Sequence, residues 1–349
     1  MRVLVRRAAA IGALLFLLCA APAHAQQTHL LLVVGLGGDP MYTEQFHGWA
    51  TSLIDSAMEN YGVPADNITY LGEKVDIDPE RIDERSTREN LDAAVAAIAE
   101  RAGPTDHVAI VLFGHGTFTD GPKFNLPGRD PSAEDFAPML DRLGRRRVTF
   151  VNTASASGPF VETLSGEGRV VMTATRNGRE RNATRFGGYF VEAFGEGGDE
   201  ADQDRDSRVS MLEAFTYARL KVLAEYETEG ILRTEHALLD DNGDGEGTEE
   251  PDPLEGDGML ARTAFLTAGE VLAAERMPFA DDPELAPLYA ERTELEQRID
   301  QLRVLRSGAD QAAYEAELER LLVELALKSR QIRQLEEARE GASDAPDPR

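Results

Sequence analysis

The stretch HVAIVLFGHG, residues 107–116, decides how this chain folds. Residues 107–113 are apolar apart from His107, and several are β-branched, which is typical of a short strand that is buried on both faces. Gly114 then ends the apolar run, and His115 follows at once. In open α/β sheets, ligands bind beyond the carboxyl ends of the strands. The stretch therefore predicts a buried parallel strand that ends at a functional histidine.

Similar apolar runs occur on both sides of this stretch, separated by segments with helical periodicity. Ser86 and Glu89 are spaced as a capping box at the start of one of these helices. Strands that alternate with helices predict an α/β domain of three layers, a mostly parallel sheet with helices on both faces. The predicted strands are residues 28–35, 67–71, 107–114, 148–153 and 169–175, and the predicted helices are residues 42–61, 86–101, 133–143 and 186–194.

The composition changes at residue 283 to Leu, Glu, Arg and Ala with a heptad-like spacing. Two leucine-rich stripes are separated by a polar turn at residues 307–310, which predicts a coiled-coil-like antiparallel helical hairpin over residues 283–340. The hairpin either packs back on the domain, which spans residues 26–280, or protrudes as an arm that binds a partner. The tail at residues 341–349 is predicted to be disordered.

The first 25 residues have the features of a secretory signal peptide. Three arginines within residues 2–7 precede an apolar run at residues 8–21, and a small-x-small pattern follows at residues 23–25. We therefore expect cleavage after Ala25, export to the periplasm or the outside of the cell, and no stable membrane anchor. Cys19 is the only cysteine, so the mature protein would have no thiol and cannot be a cysteine peptidase.

The charge of the chain limits its partners. The formal net charge is −27, with 63 acidic and 36 basic residues. Nucleic acids and anionic membranes are therefore poor partners. We expect peptide or protein partners instead.

The predicted strand at residues 148–153 ends at a run of small residues that contains Ser155. The carboxyl ends of parallel strands meet at one edge of a sheet, so His115 and Ser155 are expected on neighbouring loops. There a nucleophile, a base and the Gly116 backbone N–H could face one substrate carbonyl.

These motifs resemble the legumain family of the caspase-like clan, which has His-Gly after one strand and Ala-Cys-Glu-Ser-Gly after the next. Here the second motif reads Ala-Ser-Ala-Ser-Gly, residues 154–158. Residues 62–68 and 173–175 also look like that family, and the resemblance covers about residues 28–226. It implies a caspase-like fold in which His115 takes the place of the catalytic histidine, Gly116 that of an oxyanion-hole donor and Ser155 that of the cysteine nucleophile.

The serine at position 155 changes the chemistry that the resemblance implies. A cysteine beside a histidine forms a thiolate near neutral pH, whereas a serine hydroxyl needs a base that is itself oriented by a third group. The nearest carboxylate in the sequence, Asp106, lies a strand length from His115 and is expected to be structural. We favour a non-catalytic, peptidase-like module that binds a peptide or protein partner. The alternative is an endopeptidase that uses Ser155 and His115.

Two further features concern specificity in this region. Residues 35–42, after the first strand, contain no arginine, so the asparagine specificity of the family is not expected. The loop after residues 169–175 carries four arginines around Glu180. This loop is either solvated or an anion-accepting wall beside His115. The arginines are Arg176, Arg179, Arg181 and Arg185.

Residues 202–213 follow the spacing of an EF-hand calcium loop, with carboxylates at positions one, three, five and twelve. Ser207 stands where the loop normally has glycine, and a left-handed backbone there costs about 1 kcal/mol, which weakens calcium binding without abolishing it. The alternative is an acidic loop that caps the next helix. The predicted ligands of Ca²⁺ are Asp202, Asp204, Asp206, Arg208 through its carbonyl, Ser210 and Glu213.

A second acidic cluster, residues 240–245, begins like such a loop but has Pro251 at position twelve. We predict a turn rich in Asp and Gly. Metal binding completed by Glu249 or Glu250 is the alternative.

Overall fold

The computed structural model of this chain describes residues 26–205, 208–254, 256–266, 279, 282–304 and 311–343. The chain divides into two compact units between residues 269 and 270. The predicted signal peptide lies outside the described residues. The tail predicted to be disordered begins at residue 341, but residues 341–343 are helical, and residues 344–349 lie outside the described residues. Over the described ranges, no helix is both long enough and apolar enough to cross a membrane.

A seven-stranded sheet forms the centre of the first unit. Its strands are β1 (Thr28–Val34), β2 (Ile68–Gly72), β3 (Glu84–Arg85), β4 (His107–Phe113), β7 (Arg147–Asn152), β8 (Arg169–Thr173) and β9 (Leu238–Asp240). They lie in the order β3-β2-β1-β4-β7-β8-β9, and all neighbours are parallel except the antiparallel pair of β8 and β9. A separate antiparallel hairpin, β5 (Gly116–Phe118) and β6 (Pro122–Phe124), follows β4 directly.

Helices cover both faces of this sheet. They are α1 (Pro40–Glu59), α2 (Arg88–Arg101), α3 (Ala133–Asp141), α4 (Phe160–Leu164), α5 (Phe186–Phe194), α6 (Gly198–Ala201) and α7 (Met211–Glu229). Alternate residues of β4 enter two different hydrophobic clusters, because successive side chains of a strand point to opposite faces. Ala109 and Val111 pack in the cluster with α1, α5 and α7, whereas Val108 and Ile110 pack in the cluster with α2, α3 and α4. The predicted mostly parallel three-layer α/β domain is confirmed.

The start of α2 differs from the prediction. The helix is capped by Thr87, whose hydroxyl oxygen accepts the Asn90 N–H at 3.2 Å. Ser86 is buried, and its hydroxyl donates to the Val34 carbonyl at 2.6 Å. The predicted capping box of Ser86 and Glu89 is therefore wrong, because the Ser86 hydroxyl bonds to the end of β1 instead.

The second unit is a pair of antiparallel helices, α8 (Leu285–Val304) and α9 (Gln311–Ser343). The Tyr289 hydroxyl donates to Glu336 at 2.7 Å, close to the start of α8 and the end of α9. Leu295 and Ile299 of α8 pack with Leu321 of α9 nearer the turn. The predicted pair of C-terminal helices is confirmed.

Candidate functional site

His115 lies at the carboxyl end of β4, where the strand order changes direction. β2 and β3 lie beyond β1 on one side, and β7 and β8 lie beyond β4 on the other. Such a switch point opens a crevice between the two strand ends, which is where ligands bind in open α/β sheets.

Residues after β1 and in α1 determine the orientation of the His115 ring. The imidazole forms a hydrogen bond to the backbone of Gly37. The rings of Tyr42 and Phe46 meet it edge-on, with centroids 4.6 and 5.1 Å away. Burial lowers the pKa of His115 below its ordinary value of 6.5, and the bond to Gly37 opposes this only in part. Burial therefore favours the neutral form of the ring.

Ser155 lies on the neighbouring loop after β7 and is 4% exposed. Its hydroxyl donates to the Gly116 carbonyl at 3.1 Å, and its oxygen accepts the Gly116 N–H at 3.3 Å. Among the residues that the structure describes, no hydrogen bond joins Ser155 to His115. The two loops are adjacent, as predicted from the sequence. However, the Ser155 hydroxyl proton is donated to the Gly116 carbonyl, and the predicted oxyanion donor, the Gly116 N–H, donates to the Ser155 oxygen.

The loop that carries Ser155 is held by the loop after β8. Ala156 has a left-handed backbone with φ of 56°, and its N–H donates to the Glu180 carbonyl at 2.7 Å. The Ser157 hydroxyl bonds to the Thr175 hydroxyl at 3.1 Å, and Thr175 also accepts the Gly158 N–H at 3.1 Å. An alanine in this conformation is strained by about 1–2 kcal/mol and persists only where its surroundings enforce it. The position of Ser155 is therefore set by residues far away in the sequence.

The arginine-rich loop after β8 is largely neutralised by this chain itself. Arg176 pairs with Glu249 at 3.3 Å, and Arg185 pairs with Glu225 and Glu229 at 3.2 and 2.6 Å. Arg181 donates to the carbonyls of Gly178 and Phe118. Three of the four predicted arginines thus bond to acceptors within the chain, while Arg179 is exposed. This arrangement favours a structural role over an anion-accepting wall.

Asp106 lies at the opposite edge of the sheet from His115. Its carboxylate accepts the N–H groups of Gln27 and Gly103 at 3.0 and 2.7 Å and bonds to His29 at 3.1 Å. These contacts tie together the amino ends of β1 and β4. Asp106 is therefore structural, as expected, and does not orient His115.

Three of the predicted calcium ligands converge. Oxygen atoms of Asp202, Asp204 and Glu213 lie within 4.8 Å of one another. Asp206 and Ser207 lie outside the described residues. Carboxylate oxygens at this spacing suit a hard divalent cation such as Ca²⁺.

Glu213 also caps the start of α7, and such a cap was the alternative prediction for this loop. Its Oε2 accepts the N–H and the hydroxyl of Ser210 at 2.8 and 2.7 Å. Its Oε1 accepts the N–H of Gln203 at 3.0 Å and that of Asp204 at 3.4 Å. The same carboxylate can therefore fix the start of the helix and face a cation. The guanidinium of Arg208 lies over the Phe265 ring, 4.3 Å from its centroid.

The second acidic cluster forms a turn. Asp240 is buried and accepts the N–H groups of Gly243 and Gly245 at 3.3 and 2.8 Å. Glu249 pairs with Arg176 and Arg233, and Glu250 pairs with Arg219. The two glutamates that could have completed a metal site thus bond to arginines, which favours the predicted Asp- and Gly-rich turn.

Asp257 and Glu235 are among the buried carboxyl groups that were not foreseen from the sequence, where single acidic residues give no signal of burial. Asp257 is 4% exposed and accepts the N–H groups of Asp241 and Asn242 at 3.0 and 3.3 Å. Burial, together with the charges of Asp240 and Asp241, raises the pKa of Asp257 to about 6. Burial likewise raises the pKa of Glu235 to about 7; its carboxylate accepts the N–H groups of Arg185 and Phe186 at the start of α5.

Asp257→Asn is expected to raise the free energy of unfolding by about 1 kcal/mol at pH 8 and by less at pH 5, since one pKa unit corresponds to about 1.4 kcal/mol. A carboxyl group whose pKa is raised by folding binds its proton more tightly in the folded state. The free energy of unfolding therefore rises as pH falls through about 6. Asparagine keeps an acceptor oxygen for both N–H groups and removes the buried charge.

Urea unfolding between pH 5 and pH 8 in calcium-free buffer measures this effect, with the exposed Asp76→Asn as the control. A loss of stability in Asp257→Asn at pH 8, with the same pH dependence as the native protein, would contradict it.

Comparisons with known proteins find distant structural similarity. No family model and no curated protein matches the sequence. Among solved structures, a protein of Geobacter sulfurreducens is 13% identical, with a TM-score of 0.45 over 69% of this chain and 99% of its own. The structure of drICE is 8% identical, with a TM-score of 0.35 over 59% of this chain and 87% of its own. Caspase-1 from Spodoptera frugiperda is 9% identical, with a TM-score of 0.37 over 62% of this chain and 87% of its own.

Proposed function

We propose that this chain is an exported, non-catalytic peptidase homologue that binds a peptide or protein partner at the carboxyl ends of β4 and β7. The observation that carries the proposal is the bonding of Ser155. Its hydroxyl donates to the Gly116 carbonyl, and no hydrogen bond joins Ser155 to His115 within the described residues. A serine acts as a nucleophile only when a base lies within hydrogen-bond distance and accepts its proton.

The peptidase relationship in this proposal comes from the sequence. The His-Gly and Ala-Ser-Ala-Ser-Gly motifs resemble the legumain family, and their loops are neighbours at one edge of a mostly parallel sheet, which is the arrangement that the resemblance implies. Export follows from the predicted signal peptide. The helical hairpin is proposed as an additional surface for assembly with the partner, and calcium at residues 202–213 as a structural ion.

Clefts beside the site support a binding role. One cleft of about 310 Å³ lies between α1 and α5 and is lined by Trp49, Tyr189 and Thr184, among others. The Thr184 hydroxyl bonds to the Thr153 carbonyl, two residues before Ser155. Two aromatic side chains line this cleft, and the rest of its wall is mainly polar, including Arg185, Glu192 and Glu225, so it suits a polar ligand.

The alternative function is a serine-dependent peptidase. One observation favours it: burial lowers the pKa of His115, which favours the neutral, proton-accepting form of the ring. For this function the ring nitrogen of His115 that does not bond to Gly37 would have to reach the Ser155 hydroxyl.

Labelling with a serine-directed fluorophosphonate separates the two functions. We expect no more labelling of the native protein than of Ser155→Ala, because the Ser155 hydroxyl has no base to take its proton. Ser157→Ala is the matched control, since Ser157 lies in the same loop and bonds to Thr175. Labelling of the native protein and of Ser157→Ala that disappears in Ser155→Ala would replace our proposal with the peptidase.

A further inference from the structure

A cavity of about 560 Å³ lies on the β1 side of His115, at the carboxyl ends of β1 and β2. The loop after β1, the first two turns of α1 and the residues after β2 form its walls. Three carboxylates and one lysine line it, so its net charge is negative. The charged and titratable residues of the lining are Asp39, Glu44, His47, Glu73 and Lys74.

Glu73 is the buried carboxylate of this cavity, with a side chain that is 9% exposed. Its Oε2 accepts the Gly37 N–H at 3.2 Å and the Thr43 hydroxyl at 3.0 Å. Its Oε1 has no hydrogen bond within the described residues. The nearest cation is the Lys74 ammonium at 3.9 Å, which is beyond hydrogen-bond distance and belongs to a side chain that is 60% exposed. Glu73 therefore has only a long ion pair with Lys74 on the side of the cavity, and a cationic ligand there would give its Oε1 a closer partner.

The cavity adjoins the proposed binding site through one short segment. The N–H of Gly37 donates to Glu73, and the Gly37 backbone also bonds to the His115 ring. In the first turn of α1, Tyr42 packs against His115, while Thr43 donates to Glu73. A peptide that lies over His115 therefore has the Glu73 cavity directly beside it.

We propose that this cavity receives a lysine or arginine side chain of the bound peptide, and that its ammonium or guanidinium group bonds to Glu73. The inference rests on the proposed function, because it takes the ligand to be a peptide at the edge of β4. Charge-assisted hydrogen bonds to a carboxylate are among the strongest that proteins form. The net charge of −27 also attracts basic partners over longer distances.

Binding of two peptide pools tests the proposal. Both pools are fluorescent nonapeptides with randomised flanks; one has arginine at the centre and the other has its neutral analogue citrulline. At low ionic strength, we expect the arginine pool to bind the native protein about tenfold more tightly, because a hydrogen bond to a charged group is lost with citrulline. Fluorescence anisotropy measures both affinities.

Glu73→Gln should remove this preference, because glutamine keeps an acceptor for Gly37 and Thr43 but loses the charge. Glu59→Gln is the matched control; it removes the same charge from an exposed position at the far end of α1 and should keep the preference. Circular dichroism checks that each variant is folded.

The outcomes distinguish this inference from the proposed function. If the native protein binds both pools equally, the cavity proposal is overturned while peptide binding stands. If neither pool binds, both proposals fail. Agmatine, a small guanidinium compound, is the third probe. Binding of agmatine that depends on Glu73, without binding of either pool, would mean that the cavity holds a small cation and not a peptide side chain.

Discussion

Gly116→Ala is expected to destabilise the first unit by about 3 kcal/mol, as strongly as overpacking of a rigid core. A Cβ atom at this position would lie 2.2 Å from the Ser155 carbonyl oxygen and 3.1 Å from the Lys123 carbonyl oxygen. Both atoms are backbone. Lys123 is paired in the β5–β6 hairpin, and the peptide unit between Ser155 and Ala156 is held by the Ala156 N–H bond to Glu180, so a shift of either would disturb these bonds. Urea unfolding measures the loss.

Gly48→Ala is the matched control for this substitution. Gly48 lies within α1, and a Cβ atom there would meet no atom within 4 Å. Alanine favours a helix over glycine by about 1 kcal/mol, so this variant should be at least as stable as the native protein. If Gly116→Ala proves equally harmless, the loops of Gly116 and Ser155 do not approach each other closely, and our reason for calling Ser155 inactive is lost.

Calcium is expected to raise the melting temperature of the native protein and to leave that of Glu213→Gln nearly unchanged. At a calcium concentration 100 times the dissociation constant, a single site adds about 2.7 kcal/mol to the free energy of unfolding. The physical reason is that Asp202, Asp204 and Glu213 bring three carboxylates within 4.8 Å of one another, and a divalent cation replaces their mutual repulsion with attraction. Thermal melts in EDTA and in calcium measure the difference.

Glu227→Gln is the matched control for the calcium experiment, since Glu227 is exposed at the other end of α7. It should respond to calcium like the native protein. Glutamine at position 213 keeps an acceptor for the N–H of Ser210, so the cap of α7 is retained in part. An equal rise in the native protein and in Glu213→Gln would place the ion elsewhere in the chain.

The sequence predicted the long buried elements closely. β4 was predicted at residues 107–114 and runs over His107–Phe113, and α5 runs over Phe186–Phe194 as predicted. Continuous apolar runs and helical periodicity are properties of neighbouring residues, so they are visible in the sequence. The three-residue strands β5, β6 and β9 were missed, because they are too short to show a period. β9 also depends on a partner far away in the sequence, since it pairs with β8.

The orientation of side chains at the candidate site could not be predicted from the sequence. The sequence did predict that His115 and Ser155 lie on adjacent loops, because the carboxyl ends of neighbouring parallel strands meet at one edge. Which group each side chain bonds to depends on Gly37 for His115 and on Gly116 for Ser155. The burial of Asp257 and of Glu73 was equally invisible in the sequence.

The sequence by itself determined the α/β class, the helical hairpin, the neighbouring positions of His115 and Ser155, and the acidic loop at residues 202–213. Each of these follows from patterns between residues close together in the chain. The tertiary structure decided that the Ser155 hydroxyl bonds to Gly116, that Glu73 lines a cavity, and that Asp257 is buried. The physical reason is that hydrogen-bond partners and burial arise from contacts between segments far apart in the sequence, which form only when the sheet has assembled and its helices have packed.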